Sequence, residues 1–217
     1  MKRRSGILFV ISAPSGAGKT TLCRRLLRGD PALEFSVSHT TRPRRPGERH
    51  GRDYWFIGAP EFARRRRRGE FVEWAVVNGI TYGTSSRMLR RAAARGRDLI
   101  LDIDTQGAAS IRRRFPDAVL IFILPPGPEA LRRRLVGRGT EAAAMLARRL
   151  LLARREVGRA GRYDYIVVND RLNDAFRDLR AIIAAERCRR RRPRRDVEAI
   201  RRAFQAAGWG RAAGRRR

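Results

Sequence analysis

Residues 13–20, Ala13-Pro14-Ser15-Gly16-Ala17-Gly18-Lys19-Thr20, hold the densest chemistry in the chain. They follow the pattern G-x-x-x-x-G-K-[ST], with Ala13 in place of the first glycine. Gly16 and Gly18 allow the backbone to curl so that successive N–H groups face phosphate oxygens. Lys19 can reach a β- or γ-phosphate, and the Thr20 hydroxyl can ligand Mg²⁺. A helix starting here would add its N-terminal partial positive charge. The chemistry indicated is binding of a nucleoside triphosphate with its magnesium. The plain alternative is a glycine turn that merely ends in Lys-Thr. An apolar strand directly before the loop and an amphipathic helix directly after it argue against that.

Such a loop needs an acidic partner near the Mg²⁺ shell. The run DLILDID, Asp98 to Asp104, supplies Asp102 after three apolar residues. Two aspartates two positions apart point the same way along a strand. Asp102 and Asp104 are therefore expected to share one cleft, with Asp102 reaching the metal through water. Aspartates that merely end a strand are the bland reading of either one alone. A third stretch, SHTTRPRRPGERHGRDYWF (Ser38 to Phe56), mixes arginines, two histidines, prolines, glycines and aromatics without a helical or strand period. It is either a basic-aromatic patch for nucleic acid or one wall of a pocket for a small anion.

The formal charge is +30, from 51 Lys+Arg against 21 Asp+Glu in 217 residues. Such a chain attracts polyanions in a salt-dependent way. Yet arginine is spread through every segment, as a genome-wide preference for Arg over Lys would also produce, so charge alone decides nothing. The two cysteines, Cys23 and Cys188, have no zinc-like spacing and read as thiols in a reducing cytosol. The apolar run Ile7 to Ile11 is too short for a signal peptide, and no segment approaches a membrane span. A cytoplasmic protein is expected, without a membrane partner; monomer and homo-oligomer are equally compatible with the sequence.

Positioning these residues requires a frame. Ile7–Ser12, Asp98–Asp104, Ala118–Leu124 and Tyr163–Asp170 are continuously apolar, as strands covered on both faces are. Helical patterns lie between them, over 19–28, 85–95, 106–115, 128–136, 141–157 and 172–187. The alternation predicts an α/β class with a parallel-sheet core flanked by helices. Two intervals break the rhythm: a mixed-sheet lobe over about 37–82 and an Arg-rich helical lid over about 127–159. The core then comprises about 1–36, 83–126 and 160–188. Residues 189–217 form an Arg-rich tail in which Val197, Ile200, Ala203 and Phe204 fall at helical spacing.

In order along the chain stand SAPSGAGKTTL, SVSHTTRPRRPGERHGRDYWF, FVEWA, TYGTS, LDIDTQGA, FILPP, GRGTE and YIVVND. Together they resemble the guanylate kinase family, bacterial type, from about Ile7 to Arg187. The resemblance implies a P-loop kinase that transfers the γ-phosphate of ATP to GMP, giving ADP and GDP in purine nucleotide metabolism, with Mg²⁺ carried on ATP. It implies that Arg42, Arg45, Tyr54 and Tyr82 grip the GMP phosphate. Ser38, Glu73, Thr84 and Asp104 would read guanine, and Asn169 would lie near adenine. Arg134, Arg138 and Arg149 are the lid candidates to close over the ATP phosphates, with Lys19 as their catalytic partner. Thr84 stands where many relatives have Ser, and Thr81 precedes Tyr82 where a second Tyr is common.

The chemistry supports these assignments. Two guanidiniums and two phenols around one dianion form a cradle with fixed donor directions. Guanine presents adjacent N1–H and N2–H donors that a Glu73 carboxylate accepts as a pair, whereas AMP would meet it with a lone pair. A buried mismatch of that kind discriminates by about 10⁴–10⁵-fold. The competing readings are a related P-loop kinase for another phosphate, which would not need Glu73, and a scaffold domain, which would not need Lys19 and Thr20. A nucleic-acid binder driven by the +30 charge is the third.

Overall fold

The computed structural model describes residues 6–136, 143–189 and 197–207. In chain order the elements are β1 (Leu8–Ser12), α1 (Lys19–Gly29), β2 (Leu33–Phe35), β3 (His39–Thr40), β4 (Trp55–Phe56) and α2 (Ala59–Arg67). They continue with β5 (Phe71–Val77), β6 (Ile80–Ser85), α3 (Ser86–Arg95), β7 (Asp98–Asp102), α4 (Thr105–Arg114) and β8 (Val119–Leu124). Then come α5 (Pro128–Val136), α6 (Ala143–Val157), a 3-10 turn (Ala160–Arg162), β9 (Tyr165–Val168), α7 (Leu172–Cys188) and α8 (Val197–Ala206).

A parallel sheet of order β2-β7-β1-β8-β9 forms the core. The middles of its central strands are continuously apolar, as both faces are covered, with Asp98, Asp102 and Ser12 confined to strand ends. Phe9 and Ile11 of β1 face Leu22 and Leu26 of α1 and Leu179 and Ile183 of α7. Val10, with Leu99 and Leu101 of β7, faces Ala92 of α3 and Ala108 and Ile111 of α4. β1 lies between β7 and β8, with Ile11 directly opposite Asp102. The loop after β1 therefore opens beside the end of β7, at the carboxyl edge where open α/β sheets bind ligands.

The second sheet, β4-β3-β6-β5, is mixed: β3 pairs β4 in parallel and β6 antiparallel, and β5 and β6 form a hairpin. The hairpin turn passes through Asn78 and Gly79, both at positive φ, the backbone that Asn-Gly turns adopt. Helices α5 and α6 pack a small core of their own from Leu131, Leu135 and Ala153. Helix α8 occupies the predicted tail position, with Val197, Ile200 and Phe204 exposed. Among the described residues, no helix is long and apolar enough to cross a membrane.

The core strands are shorter than their apolar runs predict, β9 by two residues at each end, and at β7 the difference bears on the site. β7 stops at Asp102, and Asp104 instead caps α4, its Oδ1 accepting from the Gly107 N–H at 2.9 Å. An N-cap carboxylate satisfies a helix-terminal donor that would otherwise lack a partner. Asp102 and Asp104 still face one cavity, but through a turn rather than along a strand.

Candidate active site

The loop of residues 13–18 leaves β1 after Ser12, whose hydroxyl donates to the Ile103 carbonyl at 2.8 Å. It tightens through an Ala17 N–H donating to the Pro14 carbonyl at 3.1 Å. Gly16 and Gly18 sit at φ +90° and +89°, in the left-handed region that side-chain-bearing residues avoid. Gly18 caps α1 without a side chain, so no capping side chain takes up the first-turn N–H groups of the helix. A Cβ at Gly18 would also collide with Asn169 Nδ2. Asn169 is buried at the end of β9 and donates to the Ala17 carbonyl at 2.7 Å. It buttresses the loop from behind. Pro14 and Ala13 are buried, while Ser15 is exposed at the loop's crest and Thr20 is exposed on the first turn of α1.

Lys19 Nζ lies 2.5 Å from Asp102 Oδ1 and donates to the Ile103 carbonyl at 3.4 Å. Burial alone would lower the ammonium's pKa, but the Asp102 carboxylate more than offsets this and raises it above the usual lysine value. The ammonium is thus charged and held at the mouth of the loop. Beneath it, burial pushes the Cys23 thiol well above its ordinary range, which makes it inert.

A cavity of about 150 Å³ opens next to this pair, lined by Ser38, Tyr54, Glu73, Tyr82 and Asp104 together with Lys19 and Asp102. Five of the eight predicted monophosphate-site residues thus share one wall with the loop lysine. Thr84 stands behind them: its hydroxyl donates to Glu73 Oε1, across the β5–β6 register that pairs the two residues. Glu73 is 6% exposed. Burial pushes its carboxyl up to about 7, against the Thr84 hydrogen bond that favours the ionised form. Glu73 Oε2 points at Gly107, where the lack of a side chain lets the carboxylate approach the start of α4.

The cationic residues fare differently. Arg42 is buried, and its guanidinium clasps Glu48 at 2.7 and 3.0 Å and donates to the Pro43 carbonyl at 2.7 Å. It also lies 5.3 Å from the Tyr54 ring centroid, and the Tyr54 and Tyr82 rings meet edge to face at 5.9 Å. Arg45 is exposed and is tied into the group by its backbone N–H, which donates to Glu48 Oε2 at 2.9 Å. Burial and the nearby Asp102 push the Tyr54 phenol up to about 12, so it is a neutral donor. His39 is neutral too: burial and the adjacent Arg65 lower it to about 4.

From α6, Arg149 Nη2 donates to Ser15 Oγ at 3.0 Å, and from α5, Arg134 Nη2 donates to the Asn169 carbonyl at 2.9 Å. Both guanidiniums therefore stand at the loop, one on its crest and one at its buttress. Buried Arg134 Nη1 has no partner among the described residues. Arg138 lies outside the described residues.

This geometry joins the loop of 13–18, arginines of α5 and α6 and a buried carboxylate pocket. The profile of the family described as guanylate kinase matches residues 5–186. The chain belongs to the guanylate kinase family. It is 51% identical over 187 residues to a guanylate kinase of Geobacter sulfurreducens, covering 86% of this chain and 92% of the relative. It is 52% identical over 195 residues to one from Syntrophotalea carbinolica, covering 90% and 93%. The crystal structure of the guanylate kinase from Anaplasma phagocytophilum superposes with a TM-score of 0.77 at 32% identity, over 93% of this chain and 96% of that one.

Three residues near the site carry little signal in the sequence. Glu48 sits in the RPGE stretch between the arginines, and a carboxylate three residues from Arg45 was the available signal. Gly107 matters for its missing side chain, in the LDIDTQGA stretch. Glu156 of α6 is the third; burial pushes its carboxyl up to about 7, in the field of Lys19 and Asp104. Nothing in a helical Arg-rich segment marks it.

Proposed function

We propose that this chain transfers the γ-phosphate of ATP to GMP, giving ADP and GDP, in the cytoplasm. The observation that carries the reading is the buried Glu73–Thr84 pair in a cavity shared with Lys19 and Asp102. The Glu73 carboxylate accepts guanine N1–H and N2–H, while Ser38 and Asp104 border the base. The phosphate of GMP lies toward Tyr54, Tyr82 and Arg42, with exposed Arg45 closing over it. The triphosphate lies along residues 13–20, and Asn169 borders its site. An in-line attack needs little beyond alignment and charge neutralisation, because the attacking phosphate oxygen is already anionic.

Lys19 has an identifiable task. Its pairing with Asp102 keeps a buried ammonium charged until phosphate oxygens replace the carboxylate as its partner. Arg149 and Arg134, one on the loop crest and one at its base, supply donors where charge spreads over the transferring group. Arg138 belongs with them by its place in the lid sequence. The exposed Thr20 hydroxyl and the Asp102 carboxylate, through water, suit a cation that arrives on phosphates rather than one caged by protein. When bound, Mg²⁺ supplies charge neutralisation across the phosphate oxygens. The cavity lies between the core and the lobe of 37–82, so closure of lobe and lid would exclude water.

ADP release measured with GMP, AMP, CMP and UMP as acceptors tests the reading. Turnover with GMP should exceed the others by about 10⁴-fold. Comparable turnover with AMP would overturn it.

A further inference from the structure

Strand β5 has two faces, and only one belongs to the pocket described above. Glu73 and Ala75 are buried toward the guanine cavity, whereas Trp74 and Val76 are 43% and 48% exposed on the opposite side. That opposite side walls a second and larger cleft, of about 570 Å³, between β5, α4 and the 3-10 turn that follows the lid. Small residues, Ala108, Ala109 and Ser110, open its α4 wall. The volume lies within the range of small-molecule sites.

The lining has two chemistries. Trp74 offers an exposed indole, and Arg66, which does not line the cleft, lies 4.7 Å from the ring centroid. Around it stand Arg113, Arg159 and Arg162. Arg113 donates to Ser110 Oγ at 3.2 Å and Arg159 to Thr105 Oγ1 at 2.8 Å. None of the three is ion-paired with a carboxylate among the described residues, whereas neighbouring Arg112 is bound to Asp164. An indole for a flat aromatic group and three guanidiniums for phosphate oxygens, of which Arg159 also lies in the field of the Glu156 carboxyl, together match a nucleotide bearing several phosphates.

We propose that this cleft is a second nucleotide site, and that its occupancy changes the affinity for GMP. The coupling runs through shared elements. Consecutive residues of β5 wall the two cavities, and Gln106 at the start of α4 lines the second cleft while donating to Asp104 Oδ2 at 3.3 Å and to the Val76 carbonyl at 3.4 Å. A ligand bracing β5 against α4 acts on the strand that carries Glu73. By linkage, GMP changes that ligand's affinity by the same factor.

The test uses the full chain with Trp55→Phe and Trp209→Phe, which leaves Trp74 as the single tryptophan of three. GMP and ADP are held at saturation to fill the proposed active site, and UTP, whose base cannot satisfy Glu73, is titrated against tripolyphosphate. UTP should change Trp74 fluorescence saturably, and tripolyphosphate should compete with it without that change. Arg113→Glu with Arg162→Glu should weaken UTP by about tenfold or more. In the otherwise unaltered chain UTP should shift the KM for GMP by about fivefold, and this shift should vanish in the Arg113→Glu/Arg162→Glu variant. No saturable signal, or a signal unaltered by those substitutions, overturns the proposal. The second outcome would mean that UTP merely displaces ADP. Equal signals from UTP and tripolyphosphate would reduce the cleft to a polyanion patch, and also overturn it.

Discussion

Gly107 and Glu73 are in such close apposition that a Cβ added at Gly107 would lie 2.7 Å from Glu73 Oε2. The backbone of Gly107 is ordinary helix, so only space is at stake. That contact places the carboxylate at the start of α4, where the Asp104 cap already occupies the Gly107 N–H. Gly107→Ala should therefore displace Glu73 and raise the KM for GMP by about 10- to 100-fold. The KM for ATP should stay within about twofold. Steady-state kinetics with each substrate varied in turn will decide, and equal loss for both substrates would refute a local effect.

The raised Glu73 carboxyl makes a prediction about pH. Guanine N1–H and N2–H need an ionised acceptor, so guanosine affinity should rise with pH through about 7 and then level off. Guanosine is the right probe because it lacks the phosphate, which titrates near about 6. A flat titration between about pH 5.5 and 8 would contradict it.

The same shift has a consequence for stability. Below 4.5 folded and unfolded chains both hold the proton; between 4.5 and about 7 only the folded chain does. Glu73's contribution to stability is therefore greatest below 4.5 and is lost as pH rises through about 7. Glu73→Gln should raise the Tm by several degrees at about pH 8 and leave it unchanged near about pH 4. Thermal melts of the ligand-free proteins at the two pH values check the sign.

How much of this was legible beforehand depends on how local the signal is. The loop of 13–20, the apolar runs of β1, β7, β8 and β9, and the helices between them announce themselves through short-range pattern. The three-residue β2 does not, because it exists only through pairing with β7. Glu73 could be named from FVEWA, but its burial and its bond from Thr84 come from an antiparallel register that no single segment contains. The family resemblance implies Arg42 as a phosphate ligand but not its clasp on Glu48, a pairing set by a turn of prolines and glycine. The apolar residues Leu99, Ile100, Leu101 and Ile103 make DLILDID read as a strand through Asp104, whereas the chain turns after Asp102 and starts a helix.

Lys19 and Asp102 form a pair whose loss separates stability from chemistry. Lys19→Ala should lower kcat by about 10³-fold or more. It also strands the Asp102 carboxylate, 16% exposed, without its cation. Adding Asp102→Asn should recover the lost Tm and none of the activity. Recovery of turnover in the double variant would contradict the role given to Lys19.

Arg149 differs from its neighbour Arg148 in what it faces. Arg149 reaches Ser15, whereas Arg148 is exposed. Arg149→Ala should lower kcat by about 10²–10³-fold, and Arg148→Ala should leave it within about twofold. Matched losses in the two would show that the lid arginines act only through bulk charge.

Whether one buried carboxylate reads guanine is decided by kcat/KM for GMP in Glu73→Gln. Glutamine keeps the shape but can no longer accept two N–H groups as a charged pair. A fall of about 10²-fold or more is expected for GMP, with the KM for ATP nearly unchanged. Unaltered GMP kinetics would contradict it.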